Sequence, residues 1–553
     1  MSRLLLLTLL LFASTAAAAS GQVFAPVGCV SQTDVTESDR AQPPGCAAGG
    51  QLVGAGALAV TPDGERVFVA SERGGIAELA PQPALSYLGC ISDDAGDGLP
   101  GSFGACADGD ALATPDAAES VAGLAATRDG RTLYAAGAAG VAWLTRDAKT
   151  GLLLPAGCAK DVSHGDRCGA TALLGRPAAI ALSPDERQVY VADAARDAVV
   201  TFARDASTGA LTPQSCISDS GSDGQCAKGA GIFRPTGLAV APDGSAVYAA
   251  GSTEAYAGDA QYVAALAVLT RDPATGDLTA GACVVSQQLT PGACSSAPTL
   301  AGAGVVAASA DGHTLYTAGT PHTQQSALAT FGVAGGRLTP GTCFKDPDTY
   351  AEGLDGCTDV PGLGIPGGVA EAPGGTLVAA ANGAAVTGFA RDPSTGALTP
   401  AWCATGTAET CASIEETHGA GGAAFSADGA RLYAAFGERN ALVALAPAAG
   451  VARTARVART ARVGRDGARL RIACPRTARS GCRGSLALRA ATARYALAKG
   501  ASRTLTVRLP AALRARIRRA GHARATVALR ERRGAATTQP VRLATSRSSP
   551  RSP

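Results

Sequence analysis

One hairpin, written seven times, decides what this chain can fold into. Its clearest copy is TGLAVAPDGSAVYAAG, residues 236–251. It returns as ALAVTPDGERVFVAS (57–71), GLAATRDGRTLYAAG (123–137), AIALSPDERQVYVAD (179–193), VVAASADGHTLYTAG (305–319), GVAEAPGGTLVAAAN (368–382) and AAFSADGARLYAAF (423–436). Each copy is a run of small apolar residues, a tight turn and a second apolar run, most often ending in V-Y or L-Y. A D-G pair between two such runs is a strong hairpin signal. The turn aspartates are Asp63, Asp129, Asp185, Asp243, Asp311 and Asp428; the sixth copy has Gly374 there and is one residue short.

A second hairpin follows the first, as in VVTFARDASTGALTPQSCI (199–217), AVLTRDPATGDLTAGACV (267–284) and VTGFARDPSTGALTPAWCA (386–404). Asp205, Asp272 and Asp392 open its turn and Gly209, Gly276 and Gly396 close it. Aspartate suits the first position of such a turn, and glycine supplies the left-handed residue that ends it. Four strands per unit, in seven units of 54–68 residues, predict an all-β chain built as a seven-bladed β-propeller over residues 20–450. The lead-in FAPVGCV (24–30) matches LTPQSCI (211–217), the last strand of a unit, whereas the seventh unit stops short of such a strand. Residues 22–30 are therefore expected to complete the seventh blade and close the ring, leaving no exposed end edge.

The 16 cysteines keep step with these units. They fall into eight neighbouring pairs: Cys29/Cys46, Cys90/Cys106, Cys158/Cys168, Cys216/Cys226, Cys283/Cys294, Cys343/Cys357, Cys403/Cys411 and Cys474/Cys482. No C-x-x-C occurs, so the spacing does not suit zinc ribbons, haem attachment or dithiol redox chemistry. Sequential disulfides are expected, seven of them stapling the connections between successive blades on one face of the ring. Disulfides persist outside the cytosol. The N-terminus agrees: Arg3, an apolar stretch from Leu4 to Phe12 and Ala17-Ala18-Ala19 read as a signal peptide over residues 1–19. No later stretch is apolar for long enough to predict a membrane span. A secreted or cell-wall-associated monomer is the expectation.

The repeats of AVSPDG, VYVA and RDxxTGxLTP type resemble the lactonase-type seven-bladed propellers and the related YVTN-repeat surface proteins. The resemblance covers roughly residues 22–450. It implies the propeller fold; the enzymes of that family open lactone rings of sugar acids or related compounds. No motif here carries their active-site residues over.

Charge sets a second boundary. Residues 451–553 hold 25 Arg and 1 Lys against 2 acidic residues, so the remainder of a chain of net charge +3 is acidic. Residues 451–464, with ARTARV twice in succession, read as an Arg-rich linker, and 546–553 as a disordered tail. Between them, RLRIACP, GSLALRA, RTLTVRLP and RATVALRER alternate as half-buried strands do. Residues 465–545 are expected to form a small β-sandwich of immunoglobulin-like type, resembling Arg-rich C-terminal modules of secreted actinobacterial proteins. Such charge attracts polyanions. Tyr495 is the only aromatic of the segment, so no base stacking and no sequence-specific nucleic-acid readout is expected.

Candidate chemistry is sparse. Two loops between second and third strands are long: STEAYAGDAQYV (252–263) with Glu254, Tyr256, Asp259 and Tyr262, and TPHTQQ (320–325) with His322. A carboxylate, a histidine and tyrosines converging there would bind a sugar or polarise a carbonyl; variable surface loops look the same. Asp219 and Asp223, in SDSGSDG, offer part of a calcium loop without its distal glutamate, and also suit a solvated turn. No cofactor is expected, and no H-E-x-x-H, G-x-S-x-G or P-loop occurs. The reading is a non-catalytic binding module that holds a wall glycan, another polyanion or a surface protein on its stapled face, with the basic segment as an electrostatic anchor. The alternative is a lactonase-type hydrolase of an extracellular lactone or sugar acid. Phosphosugar substrates fit neither export nor an acidic propeller. A channel ringed by His, Glu and Arg would mark the enzyme; one of small apolar residues would mark the binding module.

Overall fold

The computed structural model describes residues 24–32, 46–92, 106–108, 121–161, 168–255, 261–286, 294–319, 326–347, 354–405, 421–447 and 456–545, with short breaks inside these ranges. They form two compact units, one running from Val23 to Pro447 and the other beginning at Ala448. The expected signal peptide (1–19), the C-terminal tail (546–553) and the junction 448–455 lie outside the described residues.

The larger unit is a β-propeller. Seven sheets of four or five strands are present among its described residues. The chain runs outward through each as an antiparallel series, shown by sheet 3: Pro177–Leu182, Gln188–Asp193, Ala198–Arg204 and Leu211–Ser218. The first strands touch one another in sequence, from Leu58–Val60 through Val121–Ala126 and onward to Gly421–Phe425, which returns to Leu58–Val60. The ring therefore closes.

Small residues dominate the inner strands because their backbones nearly touch. A Cβ on Gly237 would stand 2.8 Å from the Gly304 carbonyl oxygen and 2.9 Å from the Val305 Cα, and one on Gly422 would overlap the Gly56 carbonyl. Bulk sits farther out, between the sheets. Phe68, Tyr134, Tyr190, Tyr316 and Tyr433 of the second strands are fully buried there, with Phe202, Phe331 and Phe389 of the third.

Sheet 7 joins the two ends of the unit. Phe24–Gln32 pairs antiparallel with Ala441–Pro447, from Phe24 opposite Pro447 to Ser31 opposite Ala441. Phe24 also stacks on Trp402 of sheet 6 at 5.4 Å and meets Phe425 edge-on at 5.9 Å.

The hairpin turns follow from their residues. Asp205 accepts the Ser207 and Thr208 amides, Asp272 those of Ala274 and Thr275, and Asp392 that of Ser394. Each turn closes on a glycine of positive φ: Gly209 at 75°, Gly276 at 81° and Gly396 at 73°.

The sequence pattern did not disclose a fifth strand. In six sheets a two- or three-residue strand pairs parallel to the outermost one: Ala47–Gly49, Ala107–Asp108, Gly169–Ala170, Ala227–Lys228, Ser295–Ser296 and Thr358–Asp359. The disulfides pin it. Bridges join Cys29–Cys46, Cys90–Cys106, Cys158–Cys168, Cys216–Cys226, Cys283–Cys294 and Cys343–Cys357. Each lies one residue before the first parallel pair, as Cys216–Cys226 precedes Ile217 opposite Ala227. Their Cα atoms are 4.6–4.8 Å apart, the spacing of neighbouring strands. Cys403 and Cys474 are disulfide-bonded as well; Cys411 lies outside the described residues and the side chain of Cys482 is not described.

The second unit is one hydrogen-bonded sheet of eight strands with a helix. Its core gathers Leu470, Ile472, Leu486, Leu488, Leu505 and Val507 from the strands with Leu513 and Ile517 from the helix Ala511–Ala520. The two helical residues are four apart and so share one face. The linker reading of 451–464 is corrected in part: Arg456–Val457 and Thr460–Gly464 are strands, the latter between Gly467–Ala473 and the parallel Thr537–Thr545. The physical reason is alternation. Ala461 is buried while Arg462 is exposed, so the repeated ARTARV has a strand's period of two.

Candidate functional site: the channel wall and the stapled rim

The innermost strands line the propeller's channel. Their sequences are LAV, VAGLAA, PAAIAL, PTGLAV, VVAA, GVAE and GGAAF. Only Thr236 and Glu371 bring a polar side chain, and both are engaged. The Thr236 hydroxyl donates to the Gly304 carbonyl at 3.0 Å. Glu371 accepts the Ala310 amide at 3.1 Å and lies 3.9 Å from Arg391, at the junction of sheets 5 and 6. Burial raises its carboxyl above the ordinary value, against the pull of Arg391. Among their described residues the innermost strands carry no histidine and no guanidinium, and their one carboxylate, Glu371, accepts the Ala310 amide.

The polar residues that the sequence repeats most insistently do another job. The Arg271 guanidinium is nearly buried; its Nε donates to the Tyr190 hydroxyl at 2.7 Å and its Nη2 to Asp185 at 2.8 Å and to Gln188 at 2.6 Å. Tyr190 in turn donates to the Gly276 carbonyl at 2.9 Å. This joins the V-Y residues and the turn aspartate of sheet 3 to the R-D and T-G residues of sheet 4. Burial pushes the Tyr190 hydroxyl up to about 12, and Arg271 only partly offsets that. The latch recurs one junction earlier, where Arg204 donates to Tyr134 at 2.6 Å and Tyr134 to Gly209 at 2.8 Å. It recurs between sheets 5 and 6, where Arg391 holds Asp311 at 2.7 Å and Thr314 at 3.0 Å. Burial alone would raise the Asp311 carboxyl; the Ser309 hydroxyl, the His313 amide and Arg391 outweigh it and hold the group at about 2. The repeat's polar signature is thus a clamp between blades. Its signal was present in the sequence as the co-occurrence of R-D, V-Y or L-Y and the turn aspartate, but the pairing runs between units and not within one.

Of the sequence-derived candidates, Glu254, Tyr262 and Asp219 lie among the described residues. The second and third strands of sheet 4, Ala246–Ala255 and Gln261–Arg271, outrun those of the other sheets, and Glu254 stands directly opposite Tyr262 in their ladder. Tyr256, Asp259 and His322 lie outside the described residues, so the structure brings together one pair of the five. Asp219 is occupied: its carboxylate accepts the Gly231 amide at 2.9 Å while its own amide donates to the Asp197 carbonyl. Burial raises that carboxyl. Asp223 is outside the described residues, and among the described residues no group of three or more His, Cys, Asp or Glu is placed to hold a metal ion.

No protein-family model matches the chain, and no curated protein matches it. Solved structures do. One is a protein from Lactobacillus plantarum, 20% identical, with 63% of this chain and 84% of that one covered and a TM-score of 0.43. The periplasmic gluconolactonase PpgL of Pseudomonas aeruginosa is 19% identical over 63% of this chain and 85% of its own, with a TM-score of 0.40. A putative 6-phosphogluconolactonase from Bacteroides uniformis is 17% identical over 63% and 87%, with a TM-score of 0.40.

Proposed function

We propose that this chain is an exported β-propeller that binds rather than transforms its ligand, taking it on the disulfide-stapled rim, while the Arg-rich C-terminal unit anchors it to an anionic cell-wall polymer. The observation that carries the first half is the row of innermost strands: small apolar side chains, with Thr236 bonded to the Gly304 carbonyl and Glu371 to the Ala310 amide. A hydrolase needs a positioned acid, base or nucleophile where the substrate sits. The disulfides support export. The second half is favoured by the sheet of the C-terminal unit, where exposed Arg462 stands directly across from exposed Arg469 and Arg471 follows two residues on. Like charges directly opposite cost stability unless a counter-charge is present. A bound polyanion would supply it.

The test sets the mature chain against insoluble cell-wall glycans in a pull-down, beside a chain ending at Gly450, and assays both against gluconolactone in a pH-stat. Retention of the mature chain with no acid release is expected. Lactone opening at a rate that scales with protein would overturn the binding-only reading in favour of the lactone-hydrolase alternative.

A further inference from the structure

A cleft of about 510 Å³ opens between sheets 1 and 2, away from the channel. Phe68, Leu88, Leu152 and Leu154 are among its walls, and its two charged side chains, Glu78 and Asp147, are both acids. Leu88 and Leu154 are two of the three exposed large hydrophobics among the described residues.

The propeller itself shows why the space is there. In sheet 2, Trp143 pairs with Gly157 immediately before the bulge between the third and fourth strands, and its indole lies so close on that glycine that a Cβ there would overlap the ring. Sheet 6 does the same with the roles exchanged, Gly388 under Trp402. In sheet 1 the register is identical, with Glu78 opposite Gly89 just before the bulge, but no ring is present. A Cβ on Gly89 would meet nothing closer than the methyl carbons of Leu152 at 4.0 Å. The platform is kept and the indole is missing.

A carboxylate stands where the neighbouring sheet has an indole. Glu78 is only 4% exposed. Its Oε1 accepts the Arg66 Nε at 2.9 Å and its Oε2 the Leu153 amide at 3.1 Å. Each oxygen of a carboxylate has two acceptor positions, so one remains on each. Burial raises its carboxyl, against the Leu153 amide and the Arg66 and Arg146 guanidinia. Asp147 at the rim is held below its ordinary value by Thr150 and Lys149, so it stays ionised.

We propose that this cleft binds a small aromatic amine, its ring lying on Gly89 between the leucines and its ammonium group beside Glu78. The site takes nothing from the C-terminal unit, although Cys90 of the Cys90–Cys106 staple is among its walls.

The experiment titrates the full-length protein calorimetrically with tryptamine, and with indole-3-acetate as the ring of opposite charge. Saturable one-site binding of tryptamine and none of indole-3-acetate are expected. Glu78→Gln should weaken tryptamine about tenfold or more, the scale of one hydrogen bond to a charged group. Gly89→Leu, which fills the platform directly opposite Glu78, should abolish binding and leave the melting temperature unchanged. Absence of saturable binding to the parent overturns the site. Unaltered tryptamine binding by Gly89→Leu overturns its location, and equal binding of the two probes overturns the role of Glu78.

Discussion

Tyr190 shows what a single side chain contributes here. Its hydroxyl is the acceptor for the Arg271 Nε and the donor to the Gly276 carbonyl. Tyr190→Phe deletes both bonds and leaves a buried guanidinium donor unpaired, which costs about 1–3 kcal/mol; urea unfolding should show the loss as a lower midpoint with an unchanged slope. Tyr248→Phe is the control. Val333 occupies the place of the latch arginine at that junction, its amide bonded to the His313 carbonyl as that of Arg271 is to Ser245, so the loss should be smaller. The turn aspartates of the first hairpins give the ring its acid sensitivity. Asp63, Asp129, Asp185, Asp243, Asp311 and Asp428 are all held below their ordinary value. A carboxylate with a depressed folded-state pKa adds stability above its unfolded value and loses it as pH falls through the folded one. For Asp311 that window runs from its ordinary 3.8 down to about 2. Asp311→Asn should therefore be less stable than the parent at pH 5 and converge with it near pH 2, read from urea midpoints across that range.

At the scale of the element, the strand Phe24–Gln32 joins the two ends of the propeller. Removing it uncovers the edge Ala441–Pro447 and takes Phe24 off Trp402 and Phe425. An unpaired apolar edge is a template for association, so the shortened chain should aggregate or melt far below the parent in light-scattering and thermal scans; an unaltered melt would overturn the closure role. The short parallel strands make a gentler prediction. Replacing Cys216 and Cys226 together by serine opens a loop of sequence separation 10 and should cost about 2–3 kcal/mol by the chain-entropy argument, with amide exchange speeding up first at Ala227–Lys228. The four antiparallel strands of each unit were legible in the sequence because apolar runs and turn residues alternate there. The fifth was not, since a two-residue strand such as Gly169–Ala170 has no period to read. Thr460–Gly464 was hidden for a different reason: its arginines mimic a solvated linker, and only the burial of Ala461 beside exposed Arg462 discloses a strand.

For the whole molecule, the two units divide the charge. If the C-terminal unit is the anchor, retention on cell walls should fall steeply between low and high salt for the full chain. Arg462→Glu with Arg469→Glu should flatten that dependence; equal salt profiles would place attachment on the propeller. The candidate site was less legible than the fold. Spacing read 252–263 as one long loop, whereas strands reach in to Ala255 and out from Gln261 and set Glu254 opposite Tyr262; nor could spacing reveal that Asp219 spends its carboxylate on the Gly231 amide or that Glu78 faces an empty platform. Those facts depend on which unit packs against which, and the repeats look alike from within. The staples have a further consequence. The bridged cysteines are separated by anything from 10 to 17 residues, yet every described bridge meets the same rung of the ladder. Length gained or lost between two bridged cysteines is absorbed before it reaches the ring. Each staple is a firewall: the segment behind it is free to diversify, one blade at a time, while the scaffold that displays it stays in register.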